Sequence, residues 1–285
     1  MRVSGKPALW ALGLFLSSCT VGNHAPPFAD LPYQPFSRSA AVAIALREWR
    51  LWGSGYNDNP DYVQRAATMP EREQGLWQRV GEYWWEGMNA NTPTSRWTGK
   101  HDARGKVFAV AVNGEYAWSA AFISYVMRIA GAGPAFPYAP DHAYYINYAA
   151  RPYHDGKFMI AENPADYAPR LGDLVCYARG WAVGLTFKDL PTKFYFPSHC
   201  DIVAGRRAGI LLVVGGNIDD SVLMTRLPVN AQGILVSEVG RNKSEAEDDL
   251  PEPASHLAML GIRDSDSTKP RDSILVVLRV LYAQN

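Results

Sequence analysis

The sequence predicts an α+β domain in which N-terminal helices pack on an antiparallel sheet. Apolar residues recur at helical spacing in the first half of the chain, and short apolar runs of strand type follow after Asp166. Helices that precede strands in this way are typical of an α+β domain. With 285 residues and 47% apolar composition, the chain is long enough for one large domain or two small ones.

Helix boundaries in the first half of the chain follow from capping residues. Ser37 and Asp141 are residue types that favour the N-cap, because their side chains accept a hydrogen bond from the first helical turn. Pro70 is of the type favoured at the first position of a helix. We therefore predict four helices: one that Ser37 caps and Gly53 ends, one that starts at Pro70, one over Trp118 to Ala130, and one over His142 to Ala150.

Strands are predicted where the pattern changes to short apolar runs rich in β-branched residues. A charged segment rich in proline and serine, Lys243 to Arg271, precedes the last of them and is predicted to be a surface insertion. The predicted strands are Leu171 to Tyr177, Cys200 to Ala204, Ile210 to Val214, Val222 to Leu227, Ile234 to Val239 and Ile274 to Leu281.

Charge and cysteine content exclude several classes of protein. The 28 Lys and Arg residues balance 28 Asp and Glu residues without a basic cluster, which argues against a nucleic-acid-binding protein. The three cysteines lack the CxxC spacing of zinc ribbons, and the histidines match no metal signature, so we expect neither a metal nor a cofactor. Cys176 and Cys200 fall on candidate neighbouring strands, where a disulfide and two buried thiols are both open alternatives.

The N-terminus has the pattern of a secretory signal. A short positive start precedes the apolar run Ala8 to Leu16, which as a helix of about 14 Å is too short to cross a membrane. Leu16-Ser17-Ser18-Cys19 then resembles a bacterial lipobox, in which the cysteine is acylated and becomes the mature N-terminus. The alternative is an ordinary signal peptide that contains a cysteine.

The lipobox resemblance implies a domain organisation and a location. Residues 1–18 are then a signal peptide, residues 19–36 a lipidated Cys19 with a proline-rich tether, and residues 37–285 a single α+β domain. Thr20 follows the cysteine in place of an aspartate, which resembles the sorting signal of outer-membrane lipoproteins. We therefore expect a protein of the cell envelope, held in the outer membrane by its lipid and facing the periplasm.

Ser119 is the first candidate for a catalytic residue. It stands at the start of the predicted third helix, where unpaired backbone N–H groups and the positive end of the helix dipole favour an anion and can form an oxyanion hole. The alternative is that Ser119 is simply the N-cap of this helix. His142, at the start of the fourth helix, and Trp118 are predicted to line the same cleft, and His142 ranks below His199 as a catalytic candidate.

Further polar candidates belong to the predicted strands. His199 and Asp201 project from the same face of one strand, because residues two apart share a face, and a histidine beside a carboxylate can act as a general base. The alternative is a pair of edge residues without a catalytic role. Gly215-Gly216-Asn217 ends the next strand with an amide side chain, where a simple turn is the alternative.

Together these segments resemble the papain-like cell-wall peptidases of the NlpC type and the related CHAP amidases. They are also similar to a bacterial domain family of unknown function with a W-S-A-A-F-I-S motif, a branch of that superfamily. The resemblance spans roughly Ala41 to Leu281 and rests on Trp118–Ile123, Gly172–Val175, Ser198-His199 and Gly215–Asn217. It implies a papain-like fold in which the helix-start residue is the nucleophile and the strand histidine is its base.

The chain departs from this pattern at the nucleophile, because Ser119 stands where the superfamily has cysteine. A serine hydroxyl does not ionise beforehand and must lose its proton to His199 while it attacks an amide carbonyl. Either Asn217 or Asp201 would orient the imidazole, and both remain open. Two functions follow: a peptidoglycan peptide or amide hydrolase that uses serine, and a catalytically inactive domain that binds peptidoglycan or an envelope partner protein.

Overall fold

The structure is a computed structural model that describes residues 31–57, 69–90, 92–236 and 274–281. The predicted signal peptide, Cys19, most of the tether and the predicted insertion lie outside the described residues. The chain divides into two compact units, residues 1–32 and 33–285, and the helices and strands below belong to the second.

The structure confirms three of the four predicted helices. Ser37 caps the first helix by accepting a hydrogen bond from the Ala40 amide at 3.3 Å, and Asp141 caps the fourth by accepting one from the Tyr144 amide at 2.8 Å. The prediction for Pro70 was wrong, because a short 3₁₀ turn stands there and Gly75, with φ +92°, separates it from the helix that follows. The α-helices are α1 (Arg38–Leu51), α2 (Leu76–Gly87), α3 (Ser119–Ile129) and α4 (His142–Ala150).

The strands form one antiparallel sheet, which confirms the predicted α+β class. Its six strands lie in the order β1-β6-β2-β3-β4-β5, and every neighbouring pair is antiparallel. The strands are β1 (Met159–Glu162), β2 (Leu174–Ala178), β3 (Ser198–Arg207), β4 (Ile210–Ile218), β5 (Ser221–Pro228) and β6 (Ile274–Val280).

Two strand predictions differ from the structure. The sequence prediction missed β1, whose four residues pair only with β6 and are too few to show an alternating pattern. The strand predicted over residues 234–239 was wrong in its described part, where Leu235 makes an isolated bridge to Val229. Residues 237–239 lie outside the described ranges.

Both faces of the sheet are buried in the region of β2, β3 and β4. On the helical face, Cys200, Ile202 and Val214 join the main core, to which all four helices contribute. On the other face, Val203 and Val213 belong to a second apolar cluster. α3 packs against α2, β3 and β4, and its residues from Ser119 to Met127 are all buried. The start of α3, where Ser119 lies, is therefore buried.

A disulfide joins β2 to β3 beside the predicted site. Cys176 and Cys200 stand directly opposite each other in the sheet and are bonded, which decides between the two alternatives that the sequence leaves open. Cys200 lies between His199 and Asp201 on β3, so the cross-link holds the strand at the point where both polar side chains leave it.

Within the described ranges, no helix combines the length and the apolar character needed to cross a membrane.

Candidate active site

The hydroxyl of Ser119 is paired with a histidine. Ser119 Oγ lies 2.8 Å from Nε2 of His142. Ser119 is the first residue of α3 and His142 the first residue of α4, so two helix N-termini meet at this contact. Both side chains are buried, with exposed fractions of 8% for Ser119 and 3% for His142.

The local sequence explains why the Ser119 hydroxyl is available for this contact. Trp118 occupies the N-cap position of α3, and its carbonyl accepts the first helical hydrogen bond, from the Phe122 amide at 2.9 Å. Ser119 is therefore the first helical residue and not the N-cap. On α4, Asp141 is the cap, which leaves the His142 side chain free to turn inward.

His199 and Asp201 form a second buried pair. His199 Nε2 donates a hydrogen bond to Asp201 Oδ1 at 2.7 Å, and both side chains have an exposed fraction of 0%. They lie on the same face of β3, as the two-residue spacing predicts. Gly215 on β4 makes room for them, because a Cβ atom there would lie 1.8 Å from Asp201 Oδ1 and 2.9 Å from His199 Nε2.

The two pairs are adjacent and form one serine–histidine cluster, made of Ser119, His142, His199 and Asp201. The rings of His142 and His199 lie 5.2 Å apart, centre to centre. The histidine that contacts the serine is therefore not the one that contacts the carboxylate. The sequence pattern led us to expect His199 beside Ser119, and the structure places His142 there.

The environment keeps His142 uncharged. Burial lowers its pKa well below the usual 6.5, and the neighbouring His199 and Arg179 lower it further. A neutral imidazole can accept a proton from the Ser119 hydroxyl only if its own proton sits on Nδ1. Among the described residues, His142 Nδ1 is buried and has no hydrogen-bond partner. The base-competent tautomer therefore leaves a buried N–H unsatisfied, at a cost of about 1–3 kcal/mol.

Asn217 lies beside Trp118, at the end of β4. It adopts a left-handed backbone conformation with φ 56°, and it lines a small cavity together with Trp118 and Tyr116. Gly216, immediately before it, lets α3 approach, since a Cβ atom there would lie 2.6 Å from that of Phe122. In the part of the chain that the structure describes, Asp201 holds the imidazole of His199 and Asn217 does not.

Two further results concern metal ligands and the ranking of His142. No group of three or more His, Cys, Asp and Glu side chains among the described residues is arranged to hold a metal ion. The sequence prediction ranked His142 below His199. The signal that identifies His142 is its place directly after the Asp141 cap, the same helix-start position that singles out Ser119.

Comparison with known proteins gives one result. Residues 71–280, most of the chain, match the model of a bacterial family described as an uncharacterized protein conserved in bacteria, DUF2272. The chain belongs to the DUF2272 family. The DUF2272 match contains all four residues of the serine–histidine cluster and both cysteines of the disulfide, whereas α1 precedes it. No curated protein and no solved structure matches the chain.

Proposed function

We propose that this DUF2272 protein is a serine amide hydrolase of the bacterial envelope, with a papain-like domain of the NlpC type, that acts on peptidoglycan peptides. The observation that carries the proposal is the 2.8 Å contact between Ser119 Oγ and His142 Nε2 at the N-terminus of α3. A nucleophile within hydrogen-bond reach of a neutral histidine is the arrangement that nucleophilic acyl transfer requires.

In the proposed reaction, the Ser119 hydroxyl attacks the carbonyl carbon of an amide while its proton passes to His142 Nε2. The first-turn N–H groups of α3 then stabilise the oxyanion. When the intermediate collapses, His142 returns the proton to the amine that leaves. Water repeats these steps on the acyl-serine and releases the acid.

The His199–Asp201 pair supports His142 in this scheme. The base becomes an imidazolium while it holds the serine proton, and a buried cation needs a nearby negative charge. Asp201 is the carboxylate of the cluster. It contacts His199, whose ring lies 5.2 Å from that of His142. Its charge favours the protonated intermediate, and His199 is thus a positioning residue.

The disulfide supports an envelope location. Disulfides persist in oxidising compartments, and the bond between Cys176 and Cys200 lies in the core of the domain. This agrees with export through the predicted signal peptide. In this proposal acylation of Cys19 then anchors the protein in the outer membrane, with the domain facing the periplasm.

One observation favours a second function, a catalytically inactive domain that binds peptidoglycan or an envelope protein. His142 Nδ1 has no acceptor in the described structure, and Ser119 is only 8% exposed. A serine hydrolase normally fixes its base through that nitrogen. Under this alternative the cluster is a hydrogen-bonded part of the core, and Ser119→Ala leaves binding intact.

The test is mass spectrometry of purified peptidoglycan after incubation with the purified protein. The wild type and Ser119→Ala, Ser119→Cys and His142→Ala variants are compared with Ser124→Ala, a matched control that removes another buried hydroxyl from α3. New muropeptides from the wild type and from Ser124→Ala, absent with Ser119→Ala and His142→Ala, are expected.

The other outcomes separate the alternatives. Products that survive in Ser119→Ala would refute the role of the serine. Products from Ser119→Cys alone would mean a cysteine-type site that its own serine has inactivated. If no variant releases a product, the binding function replaces the hydrolase.

A further inference from the structure

A groove runs along the outer side of α4, the helix that carries His142. It lies between α4 and the segment that connects β2 to β3, and we call it the α4 groove. Its walls are formed by Asp141, Tyr144 and Arg151 of the helix side and by Lys193, Phe194 and Tyr195 of the connecting segment. None of these side chains takes part in the serine–histidine cluster.

The groove is built into the fold because its two walls are tied together. Asn147 on α4 accepts a hydrogen bond from the Thr192 amide at 2.7 Å, and its side-chain amide donates to Thr192 Oγ1 at 3.0 Å. Thr192 Oγ1 in turn donates to the Phe194 carbonyl at 2.8 Å. These bonds fix the connecting segment against the helix, so a ligand does not have to order it.

The walls present unusually exposed aromatic side chains. Phe194 is 73% exposed, Tyr195 63% and Tyr144 53%. Large aromatic rings that remain in water beside a groove are typical of a binding surface.

Two cations in the groove have no ionic partner within the described structure. Arg151 and Lys193 are both exposed, and the Lys193 ammonium lies over the ring of Phe194, 5.3 Å from its centre. The one carboxylate in the walls, Asp141, accepts the capping hydrogen bond of α4. A ligand with carboxylate groups would therefore match the charge of the groove.

The length of the groove sets the size of its ligand. Asp141 and Arg151 are ten residues apart along α4, which corresponds to about 15 Å. An extended peptide covers this distance with about four to five residues. We propose that the α4 groove binds an extended acidic peptide of about this length, with its carboxylates at Arg151 and Lys193 and its side chains on the aromatic walls.

This inference deepens the proposed function and rests on it in one respect. Asp141 lines the groove and directly precedes His142, so one end of the groove adjoins the start of the helix that carries the cluster histidine. Under the proposed function, the bound peptide is the remote part of the substrate. Binding itself requires no cleavage, and the test separates the two.

The test is fluorescence anisotropy with labelled N-acetyl-tetraglutamate, compared with N-acetyl-tetraglutamine that carries the same label. We expect saturable binding of the acidic peptide only. The Arg151→Gln/Lys193→Gln variant should weaken it about tenfold or more, since each cation makes a charge-assisted contact. The Arg50→Gln/Arg96→Gln variant is the matched control, because it removes two exposed cations outside the groove, and it should change binding by less than about twofold.

Each contrary outcome overturns the proposal in a recognisable way. An equal loss of affinity for the acidic peptide in the two double variants would mean that the peptide is attracted by the overall positive charge of the protein and not by the groove. Equal binding of both peptides, or no saturable binding, would mean that the groove does not recognise carboxylates. Binding of chitotetraose in place of the peptide would assign the aromatic walls to a glycan. Ser119→Ala should bind the acidic peptide as the wild type does. Saturable binding of the peptide by a wild type that releases no muropeptide would refute the proposed hydrolase alone.

Discussion

Gly215→Ala is expected to separate the buried pair of His199 and Asp201. The added methyl would lie 1.8 Å from Asp201 Oδ1 and 2.9 Å from His199 Nε2. Real Cβ atoms do not approach other atoms so closely, and neither partner can move away easily, since both side chains are completely buried.

The size of the effect follows from two costs. An extra methyl in a well-packed core destabilises by about 1–3 kcal/mol. If the methyl also forces the carboxylate away from the imidazole, a buried charge loses its partner, and breaking such a pair costs about 3–5 kcal/mol. We therefore expect Gly215→Ala to lower the free energy of unfolding by about 3 kcal/mol, and to slow any muropeptide release that depends on Asp201.

Urea unfolding followed by tryptophan fluorescence measures this loss, provided that the m-value is unchanged. Gly184→Ala is the control, because an added Cβ there meets no atom within 4 Å. It should leave stability unchanged or raise it slightly, since alanine restricts the unfolded chain. A loss below about 1 kcal/mol in Gly215→Ala, within the range of an ordinary substitution, would refute the reasoning.

Three further predictions concern stability. Burial by itself raises the pKa of Glu48, but hydrogen bonds and the charge of Arg79 lower it overall, so the group is ionised. Glu48→Gln should lower the free energy of unfolding by about 3 kcal/mol at neutral pH, as measured by urea unfolding. This advantage of the wild type should fade as the pH falls below about 4.5, and an unchanged difference there would contradict the prediction. Replacing Cys176 and Cys200 by alanine should lower the free energy of unfolding by about 3 kcal/mol, because the bond links residues 24 positions apart and restricts the unfolded chain. Equal stability of the variant would contradict this. Because the pKa of His142 is lowered in the folded protein, the unfolded chain binds this proton below about pH 6.5 while the folded protein does not. The free energy of unfolding of the wild type should therefore fall with decreasing pH more steeply than that of His142→Gln, by up to about 1.4 kcal/mol per pH unit. Parallel stability curves for the two proteins would contradict it.

Local patterns predict much of this fold. Ser37 and Asp141 mark two helix starts correctly because capping depends on a few neighbouring atoms. The four-residue strand β1 is different, since only its pairing with the distant β6 makes it a strand. Pro70 misled the prediction, because it begins a 3₁₀ turn and the α-helix begins only at Leu76.

The candidate site was predictable residue by residue but not in its pairings. Ser119, His199 and Asp201 are recognisable from helix position and strand alternation, and the structure brings them into one cluster with His142. Which histidine meets the serine depends on how α4 lies against α3. That orientation is set by packing between segments more than twenty residues apart, and no local pattern records it.

The burial of this cluster suits serine better than the cysteine of the NlpC-type peptidases. A cysteine nucleophile works as a thiolate beside an imidazolium, and burial opposes both charges. His142 is held neutral, because burial and its neighbours lower its pKa well below 6.5. A neutral histidine is the form that takes a proton from a serine hydroxyl, and in the proposed reaction the charge that it then acquires is transient. Asp201 contacts His199, whose ring lies 5.2 Å from that of His142, and in the proposed reaction the charge of Asp201 favours the protonated form of His142. Ser119 is thus matched to the histidine it contacts, and its presence is not by itself a sign that catalysis has been lost.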